Sequence, residues 1–185
     1  VAPVQYHGFE ASPREPRPLK MGGRDASHMD LVSTLAVAFW AMLPAYVPNN
    51  AAVLAGGGPP IDGGRTWRGS RLLGDGKTWR GTAGGVVAGA LLALALNAVR
   101  PAVADAIDVG LPAFPLAVVV AMPAGAMAGD ILASFVKRRT GRERGAAFPG
   151  LDQLDFVALA LLFSLVVAPD WTVRTFWPYV LAVVV

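Results

Sequence analysis

The chain has 185 residues, 54% of them apolar and 16% charged, with a formal net charge of +3 and no cysteine. That composition excludes a disulfide scaffold, a thiolate nucleophile and a cysteine-ligated zinc site. A positive mean hydropathy in a chain of this length also excludes an ordinary soluble domain, and it predicts an all-α integral membrane protein, a bundle of about five transmembrane helices.

Residues 1–28 differ in kind from the rest, with four prolines in the first 18 positions, mixed charges and no apolar run of signal-peptide length. Ala26-Ser27-His28 ahead of Met29 reads as a vector-derived junction, so 1–28 is expected to be a foreign leader and 29–185 a single transmembrane catalytic domain. A native disordered tail is the other reading of the leader. Both histidines, His7 and His28, fall within it. The remainder therefore has no means of building a Ser-His-Asp triad or a His/Cys zinc site. Any catalytic metal must sit among oxygen ligands, which points to a hard cation such as Mg²⁺.

The first expected span is 31–47, followed by Pro48-Asn49-Asn50 and a run of glycines and prolines. Asn49 and Asn50 either supply amide ligands at the membrane surface or cap the helix. Next comes RLLGDGKTWRG, whose Gly76-Lys77-Thr78 has the look of a phosphate-binding P-loop. A P-loop needs a glycine five residues earlier and an apolar strand before it. Arg71 holds that glycine position, the preceding stretch is basic, and Asp75 would put a negative charge in the anion nest. It is not a P-loop. Trp67 and Trp79 fit interfacial anchors better than base-stacking platforms, and no nucleic-acid partner is expected.

A second span is expected over 82–99, then a loop over 100–111, and a third span over 114–135. Glycines at Gly84, Gly85, Gly89, Gly125 and Gly129 suit close helix approach in a membrane. The third span carries Asp130, where a carboxylate costs about 3 kcal/mol or more unless paired, hydrated or metal-bound. Helical spacing puts Asp130, Ser134 and Lys137 on one face. Either this is a structural ion pair or a functional site. FPGLDQLDF then opens a fourth span over 156–168, with a turn at Pro149-Gly150 and Asp152 and Asp155 three apart. The pair reads either as helix-start carboxylates or, with Asp130, as three ligands of one Mg²⁺ site. A fifth span is expected over 172–185.

Two connections are basic: the first carries Arg65, Arg68, Arg71, Lys77 and Arg80, the second Lys137, Arg138, Arg139, Arg142 and Arg144. The positive-inside rule puts both in the cytoplasm and the N-terminus outside. After Met29 the only lysines are Lys77 and Lys137, one in each loop. The loops thus either set topology alone or join in one anion site, with backbone donors at Gly74 and Gly76 and with Thr78 and Arg80 on the same surface.

GDILASFVKRR followed by FPGLDQLD resembles the signature of the phosphatidate cytidylyltransferases, and the glycine-rich first loop is similar to their archaeal branch, the CDP-archaeol synthases. The match covers most of 31–167. A His-Gly-Gly segment of the bacterial type is absent, and Glu143-Arg144 stands where that type has Lys-Asp, which fits the archaeal branch. The resemblance implies transfer of CMP from CTP to 2,3-bis-O-(geranylgeranyl)-sn-glycerol 1-phosphate, an isoprenoid ether lipid phosphate. It further implies Mg²⁺ on Asp130, Asp152 and Asp155, catalytic Lys137, and phosphate contacts from Ser134, Arg138 and Lys77.

Two rivals remain. An ion-coupled transporter would use Asp130 as its coupling site, but no inverted repeat is evident and the charged motifs gather at one face. A CDP-alcohol phosphotransferase would continue Asp-x-x-Asp with glycine, where this chain has Phe156. The sequence assigns no oligomeric state.

Overall fold

A computed structural model of the chain describes residues 31–141 and 151–177, the side chains of 151–153 excepted. The elements run α1 (Leu31–Ala55), β1 (Thr66–Trp67), β2 (Ser70–Arg71), α2 (Trp79–Ile107), α3 (Leu116–Arg139), α4 (Leu151–Val167) and α5 (Pro169–Phe176). The protein is an all-helical membrane protein in which α1, α2 and α3 are each long and apolar enough to cross a bilayer, with α4 a shorter apolar helix. Of the fifth expected helix the described part is α5, eight residues with Asp170 in the first turn and Arg174 in the last. The leader, residues 142–150 and residues 178–185 lie outside the described residues.

Three boundaries differ from expectation. Helix α1 does not stop at residue 47 but runs through Pro48 to Ala55, so Asn49 and Asn50 lie inside it and neither caps it. Pro48 lacks an N–H and deprives only the Pro44 carbonyl of its helical donor. That carbonyl faces Gly89 of α2, where a Cβ would stand 2.8 Å from the oxygen. Helix α2 likewise passes through Arg100-Pro101, which shortens the expected 100–111 loop to the residues beyond the left-handed C-cap Asp108 (φ 54°). Helix α3 extends to Arg139, placing Lys137, Arg138 and Arg139 in its last turn, where cations complement the helix dipole.

The core is built of Met42, Ala93, Val118, Met122 and Ala126 between α1, α2 and α3, while Leu35, Phe39, Val87, Leu91 and Val120 point outward as a lipid-facing surface. Glycines set the spacing. On α2, a Cβ at Gly81, Gly85 or Gly89 would meet an α1 carbonyl within 2.9 Å. On α3, Gly129 lies against the backbone of Asp155 and Phe156, and Gly125 against that of Leu159 and Ala160. Small residues thus let helix backbones touch where lipid offers no hydrophobic drive for association.

At the opposite end from Lys77, the turn between α2 and α3, anchored by the buried Leu111 and Phe114, has its carbonyls claimed by side chains. Arg100 Nη1 donates to Leu111, Trp40 Nε1 to Pro112 (3.0 Å) and Trp171 Nε1 to Ala113 (2.7 Å). Asn97 clamps Phe114 with two bonds of 2.8 Å, one to its carbonyl and one from its N–H. Irregular backbone at the edge of a membrane bundle is thereby satisfied from within.

Candidate active site

Residues 56–78 form a folded cap at one end of the bundle. A two-residue turn at Arg68 (φ 52°) and Gly69 (φ 79°) joins β1 to β2, paired Thr66 with Arg71 and Trp67 with Ser70. Positive φ at both turn positions matches the twist of a tight hairpin. The cap closes at its base, where the Ile61 N–H donates to the Lys77 carbonyl at 2.8 Å.

Asp62 holds the cap from inside. Its side chain is 1% exposed. It accepts from the Arg71 guanidinium at 2.7 and 3.3 Å and from the backbone N–H groups of Gly64, Leu73 and Gly74 at 3.0, 3.0 and 3.1 Å. The guanidinium holds the Asp62 carboxyl far below the usual carboxylate range; burial acts the other way, and the three N–H groups add to the lowering. Arg71 also reaches Asp75 at 2.5 Å, so the acid beside Lys77 serves loop conformation.

From this cap Lys77 extends its ammonium onto Asp130 of α3 as an ion pair, each side chain about one-quarter exposed. Two clefts meet at the pair. One, about 240 Å³, is lined by Asn49 and Asn50 of α1, Gly76, Thr78, Gly81 at the start of α2, and Met127. The other, about 270 Å³, is lined by Leu73, Gly74, Ser134, Lys137 and Arg138. Gly76, Lys77, Asp130 and Val53 border both. In the first cleft the buried Asn49 Oδ1 has no hydrogen-bond partner among the described residues. The oxygen ligands lining this cleft are the Asp130 carboxylate and the Asn49 and Asn50 amides, of a type that suits a hard cation, although among the described residues no three carboxylates or imidazoles gather to hold a metal ion.

The CarS-like family, whose description is CDP-archaeol synthase, matches residues 29–185. A CDP-archaeol synthase of Halobacterium salinarum is 67% identical over 148 residues, 80% of this chain and 82% of that protein. One from Halorubrum lacusprofundi is 66% identical over 152 residues, 82% and 84% of the two chains. The chain belongs to the CDP-archaeol synthase family. A solved structure, described as structural insight into an intramembrane enzyme for archaeal membrane lipids biosynthesis, is 37% identical with a TM-score of 0.60, covering 80% of this chain and 90% of that one. As a CDP-archaeol synthase family member the chain is an enzyme, a membrane-embedded cytidylyltransferase of lipid biosynthesis.

In this family member the cap and α3 bring together most of the residues singled out in the sequence. Lys77, Asp130, Gly76, Asn49, Asn50, Thr78, Gly74, Ser134, Lys137 and Arg138 all border the two clefts. Thr78 is buried as the N-cap of α2, its oxygen accepting from the Gly81 N–H at 3.0 Å. The Ser134 hydroxyl donates to the Asp130 carbonyl at 2.9 Å. Arg80 is exposed and borders neither cleft. Helix α4 begins at Leu151, so Asp152 lies within its first turn and does not cap it. Asp155 is brought to the level of Asp130 by the close packing of Gly129 on its backbone, and its Oδ1 accepts from the Phe156 N–H at 2.6 Å. The Asp152 side chain, with Arg142, Glu143, Arg144 and the Pro149-Gly150 turn, lies outside the described residues. Sequence reasoning missed Asp62 and Arg139. Asp62 carried a signal, as an acid between the glycine run 56–58 and Gly63-Gly64, just upstream of Arg65, Arg68 and Arg71.

Proposed function

We propose that the chain transfers the cytidylyl group of CTP to 2,3-bis-O-(geranylgeranyl)-sn-glycerol 1-phosphate, forming unsaturated CDP-archaeol and pyrophosphate. The observation that carries this reading is the Lys77–Asp130 pair standing between two clefts, one rimmed by oxygen donors and the other by cations. A lipid-phosphate oxygen forms a bond to the α-phosphorus of CTP as the bond to the bridging oxygen breaks and pyrophosphate leaves. Both reactants are polyanions, so the site must supply charge neutralisation and in-line placement more than a strong base. Lys77, Lys137 and Arg138 do this with cations, and Gly74, Gly76 and Ser134 line the same surface. Mg²⁺ would be held by Asp130, Asp152 and Asp155, with the Asn49 amide facing the same cleft, and it would neutralise phosphate charge there. The active site faces the cytoplasm and the N-terminus lies outside. Support for this comes from the basic cap and the basic end of α3 lying at one end of the bundle.

The test is pyrophosphate release by purified protein with CTP, Mg²⁺ and the ether lipid phosphate, beside an Asp152→Asn variant. Release that needs all three components and disappears in the variant is expected. No release by folded protein across several lipid phosphates would sink the proposal.

A further inference from the structure

Arg139 ends α3 nine residues beyond Asp130, which on a helix is about 14 Å farther along the axis. Its guanidinium enters neither cleft. Instead Nη1 donates to the Trp67 carbonyl at 2.7 Å, and Nη2 donates to the carbonyls of Arg71 at 2.7 Å and Ser70 at 3.3 Å. The same group lies over the Trp67 ring at 5.2 Å and the Phe135 ring at 5.4 Å, and those two rings stack at 6.3 Å. One side chain therefore grips both strands of the hairpin and seats it on α3.

The grip continues to the lysine through covalent and hydrogen bonds alone. Arg71, whose carbonyl Arg139 takes, holds Asp62. Asp62 fixes the N–H groups of Leu73 and Gly74, and the Gly74 carbonyl accepts from the Lys77 N–H at 3.2 Å. Lys77 then returns to the same helix at Asp130. The cap is thus tied to α3 at two points, and the span between them roofs the cleft that holds Ser134, Lys137 and Arg138.

We infer that Arg139 is a positioning residue for the cytidylyl transfer proposed above: through the hairpin and Asp62 it fixes the place of Lys77 and the roof of the basic cleft, without touching substrate. This rests on that reading of the site. The planar fork that spans three carbonyls while lying over a ring is available to arginine and not to lysine.

The experiment compares wild type, Arg139→Ala, Arg139→Lys, Trp67→Ala and Arg139→Ala/Trp67→Ala. Each is assayed for CTP- and lipid-dependent pyrophosphate release, and amide hydrogen exchange is followed over 62–77. Arg139→Ala is expected to raise the KM for CTP about tenfold with a smaller change in kcat, and to speed exchange over 62–77. Arg139→Lys should not restore it. The double variant should be no worse than Arg139→Ala, because both changes release one clamp. Full rescue by lysine, or effects of the two single changes that multiply in the double variant, would make Arg139 a direct anion contact and overturn the inference. Wild-type kinetics and exchange in Arg139→Ala would overturn it as well. Wild-type protein without CTP-dependent release would instead defeat the reaction assignment, and the exchange data would then still judge the clamp.

Discussion

At Lys77 the geometry converts a misleading motif into a specific expectation. Its ammonium already has a carboxylate partner on α3, so the lysine is held in place before any anion arrives. Lys77→Ala should lower kcat/KM for CTP by about ten- to a hundredfold, the worth of one charge-assisted contact, and should also lower the melting temperature because Asp130 loses its ion-pair partner; steady-state kinetics beside a thermal melt checks both. Asp62 leads to a pH expectation. Its folded pKa is depressed, so the stability it lends the cap is fully present above the ordinary carboxylate range and is lost only as pH falls toward the lower folded value. Hydrogen exchange over 62–74, corrected for intrinsic rates, should stay flat from neutral pH down to about pH 4, where an unfolded aspartate titrates. In Asp62→Asn the same amides should exchange faster at neutral pH.

Among the elements, the contact of α3 with α4 depends most on what is missing from it. A Cβ at Gly129 would stand 2.7 Å from the Phe156 Cα, and backbone cannot yield as a flexible side chain does. Gly129→Val is expected to lower stability by about 1–3 kcal/mol and to move Asp155 away from Asp130, abolishing activity. Gly110→Ala, where the added atom meets nothing within 4 Å, should behave as wild type in the same thermal melt and activity assay. Sequence periodicity located the apolar helices because length and hydropathy are local properties. It ended α3 early because the charged Lys137-Arg138-Arg139 was read as loop, and it ended α1 and α2 early because proline was given more power to stop a helix than it has inside a packed bundle. Pro48 and Pro101 each remove one donor, and the helix continues past both.

For the whole molecule, the sequence reading brought two basic connections to one face, and the cap docked by Arg139 brings the first against Lys137, Arg138 and Arg139, the described part of the second. The chain has no cysteine, so single substitutions report membrane sidedness cleanly. In sealed vesicles of known orientation, Ser70→Cys should react with an impermeant maleimide from the cytoplasmic side and Gly110→Cys from the other; the reverse pattern would invert the proposed topology. The carboxylates and lysines proposed for the site were legible as candidates because charge inside an apolar chain is conspicuous. Arg139 was not, because its partners are backbone carbonyls 68–72 residues away, and such pairings leave no spacing to read; Asp62 was missed because its partners, Gly64, Arg71, Leu73 and Gly74, lie in a loop with no regular period. The turn at 111–114 bears on how the protein is made. Its acceptors are satisfied by Trp40, made early, by Asn97 and Arg100 just before it, and by Trp171, which leaves the ribosome more than fifty residues later. Ala113 is exposed, so water serves its carbonyl until Trp171 replaces that water with a fixed bond of 2.7 Å. A chain cut short before Trp171 would keep the bonds from Trp40, Asn97 and Arg100 and lose only this last tie, so truncation there should loosen the turn without dismantling it.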